Sequence, residues 1–364
     1  MKILQIINSL ATGGAEKLLV ETIPLYNAKQ IKMDLLLLNG KEYPFTKEFK
    51  KTATCKVFSL GNTSVYNPIL IFKIIPYLKK YDIVHVHLFP SQYWVVLAKI
   101  ISFSKVKLVF TEHNTSNRRL ENKLYRMLDR FIYRGYTIVV CITQEIKEIL
   151  VKHTGLNKLT FKVIENGVNL KTIKEATSLP KNKINAKISQ TDILLIQVAG
   201  FREQKDQLAL IEALQFLPKE VKLILVGDGI LKKACENLVN ALQLNDRVLF
   251  LGLRMDVPQL LKTADIIVLS SKYEGLSLSS MEGMASGRPF VASNVAGLRD
   301  VVKDAGVLFE QGNAKDLAKK ITKLINDKTY YTLVVDACQK RAAQYDIHKM
   351  VEKHIALYES ICYT

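Results

Sequence analysis

"ILLIQVAGFREQKDQLALIEAL", residues 193–214, decides the fold. Its opening is a nearly unbroken apolar run of strand length, the pattern of a strand buried on both faces of a parallel sheet. A glycine and a charged turn follow, and apolar residues then recur at helical spacing. The same unit repeats outward in both directions. "KILQII", "MDLLLL", "DIVHVHL", "KLVFTEH", "TIVVCIT" and "FKVIEN" read as strands in the first half, and "VKLILVGDG", "RVLFLG", "DIIVLS", "PFVAS" and "GVLF" in the second. Helical patterns at 205–217, 230–243 and 314–325 separate them. Such alternation predicts an α/β protein with doubly wound parallel sheets. At 364 residues the chain exceeds what one core sustains, so two domains are expected. The polar stretch "NGVNLKTIKEATSLPKNKINAKISQTD" marks the connector, with the boundary near Asn166–Val168.

The totals narrow the function. Hydrophobic content of 48% and charge of 24% are those of a globular protein. No apolar run reaches the ~18 residues that span a bilayer. Gln5 and Asn8 interrupt the apolar start, which favours a buried first strand over a signal peptide. Cysteines 55, 141, 235, 338 and 362 lie scattered without a C-x-x-C pair, which suits a reducing cytoplasm and argues against a disulfide frame or a zinc site. The net charge of +18 is uneven: residues 1–165 carry 25 Lys/Arg against 12 Asp/Glu. A basic half attracts nucleic acid, an anionic membrane or a phosphorylated substrate, and no nucleic-acid motif is present.

Two doubly wound domains are expected to bind ligands at the carboxyl ends of their strands. The unusual residues of this chain fall there. Gly13-Gly14 in "NSLATGGAEK" is a turn feeding a helix start, where free N–H groups favour an anion; a plain strand-to-helix turn is the alternative. "VHVHL" places His85 and His87 on one face of a strand, as hydrogen-bonded core residues or, with His113, as metal ligands. "LVFTEHN" ends a strand on Glu112, His113 and Asn114. "FREQK" offers Arg202 and Lys205 just before a helix, suited to a diphosphate or simply to solvent. In "YEGLSLSSMEGMASGRP", 273–289, Glu274 precedes a helix and Glu282 lies early in it. Ser279 and Glu282 match an S-x-x-E capping box, which accounts for Glu282 but not Glu274. The other reading gives the carboxylates to sugar and ribose hydroxyls and the N–H groups of Gly275–Ser277 to an anion.

Together with "LVGDG", "RVLFLG...DVPQLLKTADIIVLSS" and "GGAEK", these residues resemble the retaining nucleotide-sugar glycosyltransferases of family 4. The resemblance implies the GT-B fold: an acceptor-binding Rossmann-like domain over 1–166, a nucleotide-sugar-binding one over 167–345, and a C-terminal helix, 346–364, crossing back to the first. It implies a hexosyltransferase of polysaccharide or glycolipid biosynthesis, acting on a glycan or lipid-linked acceptor, without cofactor. Carried over by position, Glu274 and His113 contact the donor sugar, and Glu282 contacts the ribose. Gly275, Leu276 and Ser277 give backbone bonds to sugar and phosphate. Arg202 and Lys205 neutralise the diphosphate, Leu253 and Arg254 lie by the base, and Gly14 approaches the phosphate. The chain has no D-x-D pair, so metal independence is the working expectation. One departure concerns Gly200, where most members carry an arginine.

Two other readings stand beside this one: a nucleotide-sugar epimerase on the same fold, with Glu112 as its acid–base carboxylate, and a non-catalytic sugar-nucleotide-binding relative. Finally, in 118–134 Arg119, Lys123, Arg126, Arg130 and Arg134 form one helical stripe beside Leu120, Leu124, Met127, Leu128 and Phe131. Either the apolar side packs inward, or the helix lies on an anionic membrane surface, making the protein peripheral at the inner face of the cell membrane.

Overall fold

The computed structural model describes residues 1–52, 54–113 and 123–362. Asn114, Arg119, Leu120 and the side chains of residues 123 and 124 lie outside that description. The chain divides into two compact units, Met1–Asn166 with Ile347–Thr364, and Gly167–Asp346.

The first unit holds seven strands: β1 (Lys2–Ile7), β2 (Lys32–Leu37), β3 (Val57–Ser59), β4 (Ile83–His87), β5 (Lys107–Glu112), β6 (Ile138–Cys141) and β7 (Phe161–Val163). Their order is β3-β2-β1-β4-β5-β6-β7, and the pairings are parallel. Strand β3, three residues at the sheet edge, is the one that sequence reading missed; it is too short and too exposed to leave an apolar run. The helix Ile347–Cys362 turns Ile347, Met350, Val351, His354, Leu357, Tyr358 and Ile361 inward at helical spacing. It packs in this unit against the helix Gly14–Ala28.

The second unit holds β8 (Ile193–Val198), β9 (Val221–Val226), β10 (Val248–Gly252), β11 (Ile266–Leu269), β12 (Phe290–Ser293) and β13 (Val307–Phe309). They form a parallel sheet ordered β10-β9-β8-β11-β12-β13. The opening stretch is β8 with the helix Gln207–Ala213. In each sheet the order reverses once, between β1 and β4 and between β8 and β11, and such reversals open a crevice at the carboxyl ends of the strands.

Candidate functional site

In the second unit the loops that leave β8 and β11 meet at the sheet's reversal. After β8 the chain passes Gly200 and Arg202 and closes a short turn, Glu203–Lys205. The amide of Gln197 and the hydroxyl of Ser270 both donate to the Lys205 carbonyl, at 3.0 and 3.1 Å, and pin that turn to the strand ends. Next door, Gly227 has φ +138°, and a side chain there would collide with the Ala199 carbonyl. Only glycine permits that approach of one loop to the other.

Glu274 follows β11. Its Oε1 accepts from Lys205 Nζ at 2.5 Å and from Ser271 Oγ at 2.5 Å, while Gln204 Nε2 reaches Oε2 at 3.4 Å. The carboxylate is 5% exposed and the lysine side chain 18%. A charge pair this enclosed interacts more strongly than one in water. The Ser271 carbonyl in turn accepts from Ser293 Oγ. Gly297, at φ +78°, lets the neighbouring loop lie directly on the Glu274 carbonyl. Lys205 and Glu274, expected on a diphosphate and a sugar, are therefore partners of each other. Ser271 and Gln204 join the cluster and were missed. Their nearest sequence signals are a polar residue just past a strand end and a place beside Lys205.

The capping box is absent. The helix Leu278–Ala285 has Ser277 as its N-cap, with no side-chain cap, so Ser279 is already helical and Glu282 falls in the second turn. Glu282 is 6% exposed, and burial rather than end-capping describes its place. Gly275, Leu276 and Ser277 lead from Glu274 to this uncapped helix start. Gly200 has room: a Cβ there would meet only the Asp228 carbonyl at 3.5 Å and Arg202 Nε at 3.8 Å. Arg202 thus lies over the position where the resemblance led us to expect an arginine. Leu253, just past β10, is 43% exposed. Arg254 is forked onto Asp256 at 2.7 and 2.5 Å, which raises the guanidinium pKa and lowers that of the carboxyl.

The first unit carries the remaining candidates. Gly14 is exposed and opens the helix Gly14–Ala28, which also lacks a side-chain cap. His113 follows β5, and its Nε2 lies 3.1 Å from Nδ1 of His87. His87 Nε2 meets Gln5 Oε1 at 2.7 Å, and His85 lies between Tyr358 Oη at 2.6 Å and Thr111 Oγ1 at 2.7 Å. Burial pushes the pKa of His85 and His87 well below the ordinary imidazole range and that of His113 down to about 4. Glu112 is buried and accepts from Tyr133 Oη at 3.0 Å.

The helix Lys123–Tyr133 corrects an expectation. Met127, Leu128 and Phe131 do not pack inward; they are 67%, 40% and 53% exposed. The inner face instead buries Ile132, Tyr133 and Asp129, the last bonded to Tyr93 Oη and to His153 Nε2 at 2.9 Å. Arg126 is held by the His153 and Lys152 carbonyls at 3.0 and 3.2 Å, which removes it from the free basic stripe.

Comparison with known proteins agrees with this architecture. Residues 12–172 match the model of Glycosyltransferase Family 4, and residues 180–344 that of Glycosyl transferases group 1. The chain is 29% identical to the Escherichia coli UDP-Gal:alpha-D-GlcNAc-diphosphoundecaprenol alpha-1,3-galactosyltransferase, covering 77% of this chain and 76% of the relative. It is 30% identical to the N-acetyl-alpha-D-glucosaminyl L-malate synthase of Bacillus anthracis, over 78% of this chain and 74% of the relative. The fold is similar to that of the Anabaena protein HepE, solved in complex with UDP and glucose, at a TM-score of 0.85 and 22% identity over 99% of this chain and 100% of that one. Two Rossmann-like units, two adjoining family matches and a relative of this identity and coverage lead to one conclusion: the chain belongs to the family 4 (group 1) glycosyltransferases, which have the GT-B fold.

Proposed function

We propose that this glycosyltransferase is retaining and metal-independent, and that it transfers a hexose from a UDP-sugar to a glycan carried on a lipid diphosphate. The observation that carries the reading is the enclosed Lys205–Glu274 pair at the β8/β11 reversal. Breaking a glycosyl–phosphate bond puts negative charge on the departing diphosphate and positive charge on the sugar ring. A cation already held in place stabilises the first charge without reorganising, and such preorganised stabilisation usually contributes most to the rate. Lys205, with Arg202 beside it, fills that role. Glu274 accepts from sugar hydroxyls, its orientation held by Ser271 and Gln204. His113, in the first unit, is assigned by resemblance to the donor sugar. The UDP-Gal donor and diphosphoundecaprenol acceptor in the name of the E. coli relative, and the UDP bound to HepE, support a UDP donor and a lipid-diphosphate acceptor.

We also propose that the helix Lys123–Tyr133 docks on an anionic membrane surface. Its exposed Met127, Leu128 and Phe131, with Arg130 and Arg134 also exposed, give it an apolar and a basic side, both at the surface. No helix among the described residues is long and apolar enough to cross a membrane, so the helix would lie in the interface. The catalytic reading is tested by following UDP release from a panel of UDP-sugars with and without a lipid-diphosphate glycan. Release that needs the acceptor and survives EDTA supports it. Release without acceptor, or loss on EDTA restored by manganese, refutes it.

A further inference from the structure

The two histidines of "VHVH" remain outside the reading above, although they sit in a connected polar cluster of the first unit. Their place follows from register. On three neighbouring strands Gln5 of β1 stands opposite His85 of β4, and His87 of β4 opposite Thr111 of β5. Parallel pairing and a period of two put Gln5, His85, His87 and Thr111 on one face, with His113 just beyond the end of β5. Gln5 and His87 are 1% and 6% exposed, so their polar atoms must be satisfied within the protein.

That requirement sets the direction of each hydrogen. The Met33 thioether can only accept, and Gln5 Nε2 lies 3.2 Å from it, which turns Gln5 Oε1 to His87. Oε1 accepts, so the hydrogen at its 2.7 Å contact belongs to His87 Nε2. A neutral imidazole carries one N–H, leaving His87 Nδ1 with a lone pair. The hydrogen across the 3.1 Å contact therefore comes from Nε2 of His113. Burial keeps both rings neutral at physiological pH.

We propose that His87 is a positioning residue for His113: it accepts the Nε2 hydrogen and thereby holds His113 in the tautomer whose Nδ1 is an acceptor for a substrate hydroxyl. The inference rests on the assignment of His113 to the donor sugar, and it turns that contact from an unspecified one into acceptance of a hydroxyl hydrogen.

Two measurements on the full chain test it. Long-range ¹⁵N–¹H spectra of the histidine-labelled protein should show His113 protonated on Nε2; an Nδ1–H signal overturns the proposal. In turnover, His87→Leu should lower kcat roughly 10-fold, the cost of one oriented hydrogen bond, with donor KM nearly unchanged. His87→Asn, whose Oδ1 stands close to the place of Nδ1, should recover most of the loss. Against a His113→Ala background His87→Leu should cost nothing further, since it acts only through that ring. An independent, additive loss overturns the proposal. Should His87→Leu fail to fold, Gln5→Leu frees the His87 tautomer and is expected to mix the His113 signals; an unmixed Nε2–H signal in that variant counts against the relay. Full activity of His113→Ala would instead refute the sugar contact, while the tautomer spectrum would still decide whether His87 orients the ring.

Discussion

At the scale of single residues, Lys205 and Glu274 are ion-pair partners and are each proposed to hold the donor, and substitutions separate the two roles. Lys205→Ala removes the cation proposed for the diphosphate and takes the Lys205 ion pair from a 5%-exposed carboxylate. UDP affinity should fall roughly 10-fold or more, as for the loss of a charged hydrogen bond, and stability by about 1–3 kcal/mol. Uridine, which lacks the phosphates, should bind wild type and variant alike, and calorimetry with both ligands checks this. Glu274→Gln keeps the shape and one oxygen to accept from Lys205 and Ser271, but it loses the Gln204 bond and the charge opposite Lys205, so stability should fall by about 1–3 kcal/mol while turnover is lost altogether. Near-normal turnover in that variant would remove Glu274 from the donor site. Gly200→Ala should be nearly neutral, because its new methyl group meets only ordinary contacts.

At the scale of elements, the helix Lys123–Tyr133 shows apolar side chains outside and an aspartate inside. Asp129 is 1% exposed between Tyr93 and His153, so Asp129→Leu should destabilise the unit by about 1–3 kcal/mol through the hydrogen-bonding groups it strands. Its outer face is largely exposed and should be replaceable. Met127→Ser with Phe131→Ser should leave the melting temperature unchanged and abolish cosedimentation with anionic vesicles. Arg130→Gln with Arg134→Gln should weaken that cosedimentation and its dependence on salt, at ~1 kcal/mol per cation near the surface. Equal binding to neutral and anionic vesicles, or none to either, would return this helix to an ordinary solvated element.

At the scale of the whole molecule, the histidine cluster ties stability to pH. His113 and His354 are each depressed by burial from 6.5 to about 4. Well above pH 6.5 neither the folded nor the unfolded form of these rings carries charge, and their contribution is level. Below it the unfolded chain takes up protons that the folded chain refuses, so stability falls as pH drops toward 4, with a slope reaching about 1.4 kcal/mol per pH unit for each histidine. Among the described residues buried His354 has no partner for its Nε2, so His354→Leu should flatten the slope at little cost at pH 7.5; denaturant melts across pH 4.5–7.5 check both. With UDP as the proposed donor product, its addition at one hundred times Kd should raise stability by about 2.7 kcal/mol, which thermal melts check.

What the sequence determined by itself is what periodicity and strand ends encode. Buried strands announce themselves as apolar runs, so twelve of the thirteen strands among the described residues were legible, all but the short edge strand β3. Polar residues placed just past such runs, Lys205, Glu274 and His113 among them, stood out because an apolar pattern stops there for a reason. Tertiary structure decided the partnerships. Nothing local in "SSKYEG" joins Ser271 and Glu274 to a lysine in "REQK"; the parallel pairing of β8 with β11 does so. The helix Lys123–Tyr133 has an amphipathic sequence that fits either orientation, and the buried bonds of Asp129 settled which side faces out. Likewise "VHVH" shows only that two imidazoles share a face. The direction of their hydrogens depends on Gln5 and Met33, distant in the chain, because a hydrogen bond is set by distance in space and not along the backbone.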